Sequence, residues 1–310
     1  MIDRYGRFIN GLRISVTENC NFNCFYCHRE GCPESSREMT PDEIGDIIKI
    51  ASEFGVEKIK VTGGEPLLRD DIVDVVAASI QPGIREVSMT TNGVFLTNKA
   101  QELSEAGLSR VNISLDTLDA EKFTKITGNG SLQRVLDGIE AALEAGLVPI
   151  KLNMVVLRGV NESEVDRMIN FASERGMILQ LIELVDLNGE DYKAYHKNLD
   201  EIERELAARA LSVKTRRLMQ SRKRYLLPGG EVEVVRPMHN TQFCAHCHRL
   251  RLTPDGYLKP CLMRNDNLVD LLSHIRAGDV EGVRKAFVEA VQRREPYFKR
   301  TARETCKHAM

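Results

Sequence analysis

Between residues 11 and 184, short runs with a period of two alternate with longer runs with a period near 3.6. The short runs predict strands over 11–17, 58–62, 86–90, 111–115, 148–156 and 178–184. The amphipathic stretches predict a helix starting at Thr40 and others over 70–80, 98–106, 131–145 and 161–175. Thr40-Pro41-Asp42-Glu43 supplies an N-cap, a proline at the first helical position and acidic residues in the first turn. Gly55, Gly107, Gly146 and Gly176 each follow a helical stretch, where a left-handed residue is wanted. Six βα units in a row predict parallel strands with right-handed crossovers, in an open doubly wound sheet or a six-unit partial barrel.

The strand faces favour the barrel. Alternation puts Arg13, Ser15 and Thr17 on one face, and likewise Lys58, Lys60 and Thr62, Ser88 and Thr90, Asn112 and Ser114, and Lys151 and Asn153. The opposite faces are apolar. A parallel sheet covered by helices on both sides reads nearly all apolar. A face that is polar and cationic in five strands suits the inside of a partial barrel, with helices on the apolar outside. Arg13, Lys58, Lys60 and Lys151 need partners there. A polyphosphate would supply them, whereas few carboxylates fall on the inner face.

After Leu184 the rhythm breaks. A helix is expected over 200–211, strands within 212–235 around the turn Pro228-Gly229-Gly230, and a closing helix over 280–293. The basic run Lys214-Thr215-Arg216-Arg217 with Arg222-Lys223-Arg224 reads as a solvated hairpin. The fold class is therefore α/β: a partial (β/α)6 TIM-type barrel over 1–186, and a C-terminal α+β extension over 187–310.

Composition sharpens this. Of 310 residues 42% are hydrophobic, enough for a sizeable core, and 43 basic against 45 acidic residues give a net charge of −2. That balance argues against a bulk nucleic-acid binder. The polar start Met1-Ile2-Asp3-Arg4-Tyr5-Gly6-Arg7 has no apolar signal core, and no run approaches the roughly 18 apolar residues of a membrane span. A cytoplasmic protein with neither nucleic-acid nor membrane partner is expected.

The eight cysteines change the picture most. Six form two triplets, Cys20-x3-Cys24-x2-Cys27 and Cys244-x2-Cys247-x13-Cys261; Cys32 and Cys306 are left over. A structural zinc site wants four ligands. The second triplet could borrow His246 or His248 to make one. The first suits three irons of a cubane cluster whose fourth iron stays open to another ligand, unless Cys32 is that fourth ligand; ordinary electron-transfer clusters use four cysteines. In a βα barrel the chemistry sits on the loops after the strands. There lie the Cys20 triplet, Gly63-Gly64-Glu65-Pro66, Thr90-Thr91-Asn92-Gly93 and Ser114-Leu115-Asp116. Gly63-Gly64 permits close backbone approach to a ligand, and Glu65 offers a carboxylate to an amine.

Cys20-Asn21-Phe22-Asn23-Cys24-Phe25-Tyr26-Cys27 followed by Gly63-Gly64-Glu65-Pro66 resembles the radical S-adenosylmethionine (SAM) superfamily. With the second triplet, Leu12-Arg13-Ile14-Ser15-Val16-Thr17, Asn112-Ile113-Ser114-Leu115-Asp116 and Arg249-Leu250-Arg251, the chain resembles the MoaA family from about Arg4 to about Arg300. These are the GTP 3′,8-cyclases of molybdenum-cofactor biosynthesis, and the likeness is to an archaeal type. The resemblance implies two [4Fe-4S] clusters and SAM as cofactors. Cys20, Cys24 and Cys27 would hold the cluster that binds and reductively cleaves SAM to a 5′-deoxyadenosyl radical, and Cys244, Cys247 and Cys261 the one that faces GTP. The radical would take the ribose 3′ hydrogen, and the carbon radical would attack C8. Tyr26, Gly64 and Ser114 match SAM contacts; Arg13, Lys60, Thr90, Lys151, Arg249, the Leu250 backbone and Arg251 match GTP contacts, and Lys58 would assist. The resemblance further implies a reducing electron donor, a homodimer, and transfer of the product to cyclic pyranopterin monophosphate synthase.

The chain departs from the family pattern in three places. Gln180 stands where bacterial relatives carry Arg, and Val185 where they carry a Met near SAM. The sequence ends Glu304-Thr305-Cys306-Lys307-His308-Ala309-Met310, without the family's Gly-Gly tail, whose role is filled otherwise or dispensed with. The rivals are another two-cluster radical SAM enzyme, such as a peptide-modifying maturase, and a zinc-stabilised binding protein.

Overall fold

In the computed structural model, which describes residues 1–29, 38–186, 190–238 and 240–295, all six expected strands form: β1 (Gly11–Ser15), β2 (Lys58–Thr62), β3 (Glu86–Thr91), β4 (Arg110–Ser114), β5 (Lys151–Val156) and β6 (Ile178–Glu183). The helices between them are α1 (Pro41–Glu53), α2 (Ile72–Ala78), α3 (Leu96–Glu105), α4 (Ala120–Thr127), α5 (Leu132–Glu144) and α6 (Val165–Glu174). Thr40 and Glu43 form a capping box at the start of α1. Gly55, Gly107, Gly146 and Gly176 all have positive φ, as their places after helical stretches require. Helix α4 lies outside the periodicity reading; Asp119 caps it by accepting from the Lys122 amide at 2.9 Å.

The C-terminal region supplies α7 (Glu190–Tyr195), α8 (Asp200–Arg209), β7 (Ser212–Arg216), β8 (Arg222–Leu227), β9 (Gly230–Val235), α9 (Thr241–Ala245), β10 (Arg249–Leu252), β11 (Tyr257–Lys259), β12 (Val269–Asp270), α10 (Leu272–Arg276) and α11 (Val280–Gln292). Its strands do not make a sheet of their own. The order is β12-β11-β10-β1-β2-β3-β4-β5-β6-β9-β8-β7. Strand β10 runs parallel to β1 and β9 parallel to β6, so the parallel series grows by one strand on each edge. The sheet is not closed into a barrel.

The outward residues Leu12, Ile14, Ile59, Val61, Val87, Met89, Val111, Ile113, Leu152 and Met154 are buried in one core with the apolar faces of α1, α2, α3, α5 and α6. Their alternates face the other way, and the register aligns them: Arg13 is opposite Lys60 on one side and Arg251 on the other, and Asn112 is opposite Lys151. Lys58, at the start of β2, is exposed.

Candidate active site

The first cysteine loop leaves the end of β1. Cys20, Cys24 and Cys27 are free thiols. Burial pushes the Cys24 thiol well up, with the charges of Asp116, Cys27 and Cys20 adding to the effect. The three thiols share one loop and bear on one another's charge, and with no fourth in the loop's described part the donor set suits three irons of a cubane cluster. Phe25, Tyr26 and Tyr195 pack with Leu157 and Leu184 into a small apolar cluster beside them. Cys32 and Cys306 lie outside the described residues.

Gly63 and Gly64 lie against the loop itself. A Cβ on Gly64 would fall 2.2 Å from the Asn19 carbonyl oxygen and 2.4 Å from that of Glu18. The Gly64 amide donates to the Thr17 carbonyl at 2.8 Å and the Glu65 amide to the Asn19 carbonyl at 2.7 Å. The close approach expected for a ligand is thus made by the protein's own backbone, and the Gly64 N–H is already engaged. The buried carboxylate of Glu65 accepts from the Leu67 amide at 3.0 Å, the Thr91 hydroxyl at 2.6 Å and the Asn92 amide at 2.6 Å. It joins the loop after β2 to the end of β3 and the loop beyond, with Oε1 accepting twice and Oε2 once; burial pushes its carboxyl up to about 7. Asn92 continues the link by donating to Asn21 at 2.7 Å.

Beyond β4, Asp116 accepts from the Tyr26 hydroxyl and from the Val155 amide. Burial raises its carboxyl to about 6. Tyr26, within the cysteine loop, is thereby fixed by its side chain. Ser114 ends β4 opposite Asn153 and is partly exposed; Val185 is partly exposed beyond β6.

The inner face carries the expected cations. Lys60 donates to the Asn112 side chain at 3.0 Å, and Arg110 does so at 2.9 Å while pairing with Glu86 at 2.7 Å. Burial and the charges of Arg110, Arg13 and Arg249 push the Lys60 amine well below its ordinary value. Arg249 in turn lies among Arg222, Arg13 and Arg251. Leu250 turns its side chain into the core and presents only its backbone. The Thr90 hydroxyl is buried and has no hydrogen-bond partner among the described residues.

Lys151 has a partner that the sequence reading did not place on this face. It donates to the fully buried Glu233 of β9 at 2.7 Å. Arg216 and Arg222 reach the same carboxylate at 2.7 and 3.0 Å, and Gln180 donates to it at 2.9 Å. The basic hairpin is therefore not wholly solvated: Lys214 and Lys223 are exposed, but Arg222 is buried and Arg216 partly so. Burial outweighs Glu233 and brings the Lys151 amine down to about 8, while Lys151, Arg222 and Arg216 hold Glu233 well below the usual carboxylate range against its own burial. Arg110, Arg216, Arg222 and Glu233 join this face, and sequence reasoning did not place them there.

The second triplet sits on α9, the turn after it and the loop after β11. Arg7 donates to the Cys244 carbonyl at 2.9 Å and Arg294 to the Cys247 carbonyl at 2.7 Å, and Asp3 pairs with both arginines at 2.7 Å. Burial pushes the Cys247 thiol up, but Arg294, Arg249 and Arg251 outweigh it and hold the thiol below its ordinary value. A cationic surround suits thiolate ligands of a cluster. His246 bonds the Gln242 carbonyl at 3.0 Å, and His248 bonds the Phe8 carbonyl at 2.7 Å and stacks on the Phe8 ring. Among the described residues, no three His, Cys, Asp or Glu side chains close on a single ion.

A three-cysteine loop at the strand ends of an open βα barrel defines a class, and the radical SAM superfamily model matches residues 14–172. The model described as Molybdenum Cofactor Synthesis C matches residues 177–300. Proteins named "Probable GTP 3′,8-cyclase" from Methanothermobacter marburgensis and Methanocaldococcus jannaschii are 50% and 49% identical, covering 96% of this chain and 98% and 99% of theirs. The chain belongs to the GTP 3′,8-cyclase family of radical SAM proteins. Among solved structures, Streptococcus suis SuiB bound to S-adenosylmethionine superposes with a TM-score of 0.66 at 17% identity, over 86% of this chain and 64% of that one. The structure of anSMEcpe with bound AdoMet superposes with a TM-score of 0.56 at 16% identity, over 89% and 82%. At these identities the likeness is one of fold. No helix among the described residues is long and apolar enough to cross a membrane.

Proposed function

We propose that the protein cyclises GTP to (8S)-3′,8-cyclo-7,8-dihydroguanosine 5′-triphosphate by SAM-dependent radical chemistry, as a lyase at the first step of molybdenum-cofactor biosynthesis. The observation that carries this is near-full-length identity of about half to relatives named for that activity. Cys20, Cys24 and Cys27 would hold one [4Fe-4S] cluster, and Cys244, Cys247 and Cys261 the second. With SAM bound, the first cluster supplies one-electron cleavage of the sulfonium and so the hydrogen-abstracting radical.

The chain's own residues bind, orient and exclude water. The Tyr26 backbone, the Gly64 carbonyl and Ser114 would contact SAM, beside the apolar cluster that holds Phe25, Tyr195 and Leu184. Arg13, Lys60, Lys151, Arg249 and Arg251 present the charge that a triphosphate of about −4 requires, and the arginines add bidentate geometry. The unpartnered Thr90 hydroxyl and the Leu250 backbone complete the GTP contacts. A reducing donor, a homodimer, transfer of the product to cyclic pyranopterin monophosphate synthase and a cytoplasmic location belong to the same reading.

Anaerobic incubation with SAM, GTP and a reductant tests it, by assay for 5′-deoxyadenosine and the cyclised nucleotide. Two cubanes give about eight irons and eight sulfides per chain. Cys24→Ala abolishes SAM cleavage, whereas Cys261→Ala keeps reductive SAM cleavage and makes no cyclised product. Normal cyclisation by Cys261→Ala sinks the assignment of the second cluster, and a zinc-loaded protein without sulfide sinks the reading as a whole.

A further inference from the structure

Arg216 ends β7 and Arg222 opens β8, directly opposite each other in the antiparallel pair. Like charges so placed repel. Both turn to Glu233, as does Lys151 from across the sheet. One carboxylate thus meets three cations, in a place where the Lys151, Arg222 and Glu233 side chains are at most 8% exposed. Buried charge left uncompensated is costly, and this group carries a surplus of positive charge that an anionic ligand would balance.

Unused donors point the same way. The Arg222 Nε is buried without a hydrogen-bond partner among the described residues. Its NH1 goes to Glu233 and its NH2 to the Gln220 side chain at 2.6 Å. Gln220 and Ser221, neither of them glycine, have φ of 63° and 52°. Backbone held in this region needs a surrounding structure that enforces it, and such residues cluster at ligand sites. The strained turn delivers Arg222 beside Arg249 and Cys247, whose charges bear on it and on each other. The hairpin wall is therefore continuous with the cations of β1, β2 and β10.

We propose that Arg216 and Arg222 bind the polyphosphate of the nucleotide substrate together with Lys151, and that Glu233 is the positioning residue that holds the three convergent. Gln180, neutral and bonded to Glu233, leaves room for the hairpin arginines to supply charge at that strand. The inference rests on the reading of the chain as a GTP cyclase.

The test uses the full chain with its clusters reconstituted anaerobically, and measures binding of GTP, guanosine and inorganic tripolyphosphate. Arg222→Met keeps the side-chain volume and leaves Glu233 paired with Lys151 and Arg216. It is expected to lose at least about tenfold in affinity for GTP and for tripolyphosphate, with guanosine changed by less than about twofold. Arg216→Met, at the partly exposed rim, shows the same split to a smaller degree, and Arg222→Lys restores part of the loss. Glu233→Gln weakens tripolyphosphate although it makes the pocket more positive, because the cations lose the group that gathers them. Equal losses for GTP and guanosine, or no loss for GTP, overturn the proposal and make the cluster a structural lock. Tighter tripolyphosphate binding by Glu233→Gln overturns the positioning role. A wild type that binds tripolyphosphate but prefers no guanine nucleotide over an adenine one sinks the cyclase reading instead; the split in the variants would still support the anion site.

Discussion

At the scale of single residues, Gly64 shows how a motif glycine serves the site indirectly. Its missing Cβ is occupied by two carbonyl oxygens of the segment leading to Cys20. Gly64→Ala must push that backbone away, since neither oxygen belongs to a flexible side chain. The variant is expected to fold, because the core beneath β2 is untouched, but to lose the iron of the first cluster, about four per chain. Iron analysis after anaerobic reconstitution checks this; full iron with normal SAM cleavage would show that the loop has slack. The inner-face residues Arg13, Lys60 and Lys151 were legible in the sequence because strand alternation is strict and parallel neighbours share a register. Arg110 was not, because it sits one residue before the strand start that the hydrophobic pattern marks. Arg216 and Arg222 were not, because they sit in a run of basic residues at the hairpin ends of β7 and β8, where alternation does not say which charge turns inward. The links of Glu65 to Thr91 and Asn92 were not legible, since local pattern cannot bring the end of β3 to this side chain.

At the scale of elements, the six strands and the five expected helices were legible to within four residues at each boundary, and α4 was missed. Glu164, just before α6, ties α4 to the rest by accepting from the Thr117 hydroxyl at 2.6 Å and from Lys122 at 2.5 Å. Burial raises its carboxyl, but Lys122 and Thr117 outweigh that and hold it below its ordinary value of 4.5. A carboxylate whose folded value is depressed contributes stability above the unfolded value and loses it as pH falls through the folded one. Glu164→Gln is therefore expected to lower the thermal midpoint by a few degrees at pH 7. The gap to wild type should shrink as the pH is taken from 5 to below 4. A gap that stays constant over that range would mean that the carboxylate's charge is idle.

For the whole molecule, the two ends of the described chain meet at the second cysteine triplet. Asp3 lies between Arg7 and Arg294, and all three side chains are almost fully buried. Removing one partner of a buried pair leaves the other charge uncompensated, at about 3–5 kcal/mol. Asp3→Ala is expected to destabilise the protein by that order and to lower the iron of the second cluster proposed on Cys244, Cys247 and Cys261. Thermal unfolding and iron content check it, and a variant as stable and as iron-loaded as wild type would refute it. That β9 and β10 would flank the first six strands was not legible, because nothing local in a strand names a partner so distant in sequence. The sheet order has a consequence for synthesis. Strand β1 leaves the ribosome before the other strands of the sheet, yet its second neighbour, β10, comes only after all six βα units are complete. Until then one edge of β1 is an open template for other chains. The loop of Cys20, Cys24 and Cys27 gains its β2 neighbour and the backbone of Gly63 and Gly64 early, whereas Cys261 does not yet exist. The two triplets thus become available for loading in a fixed order, the N-terminal one first, and the wall that carries Arg249 and Arg251 is laid beside it last.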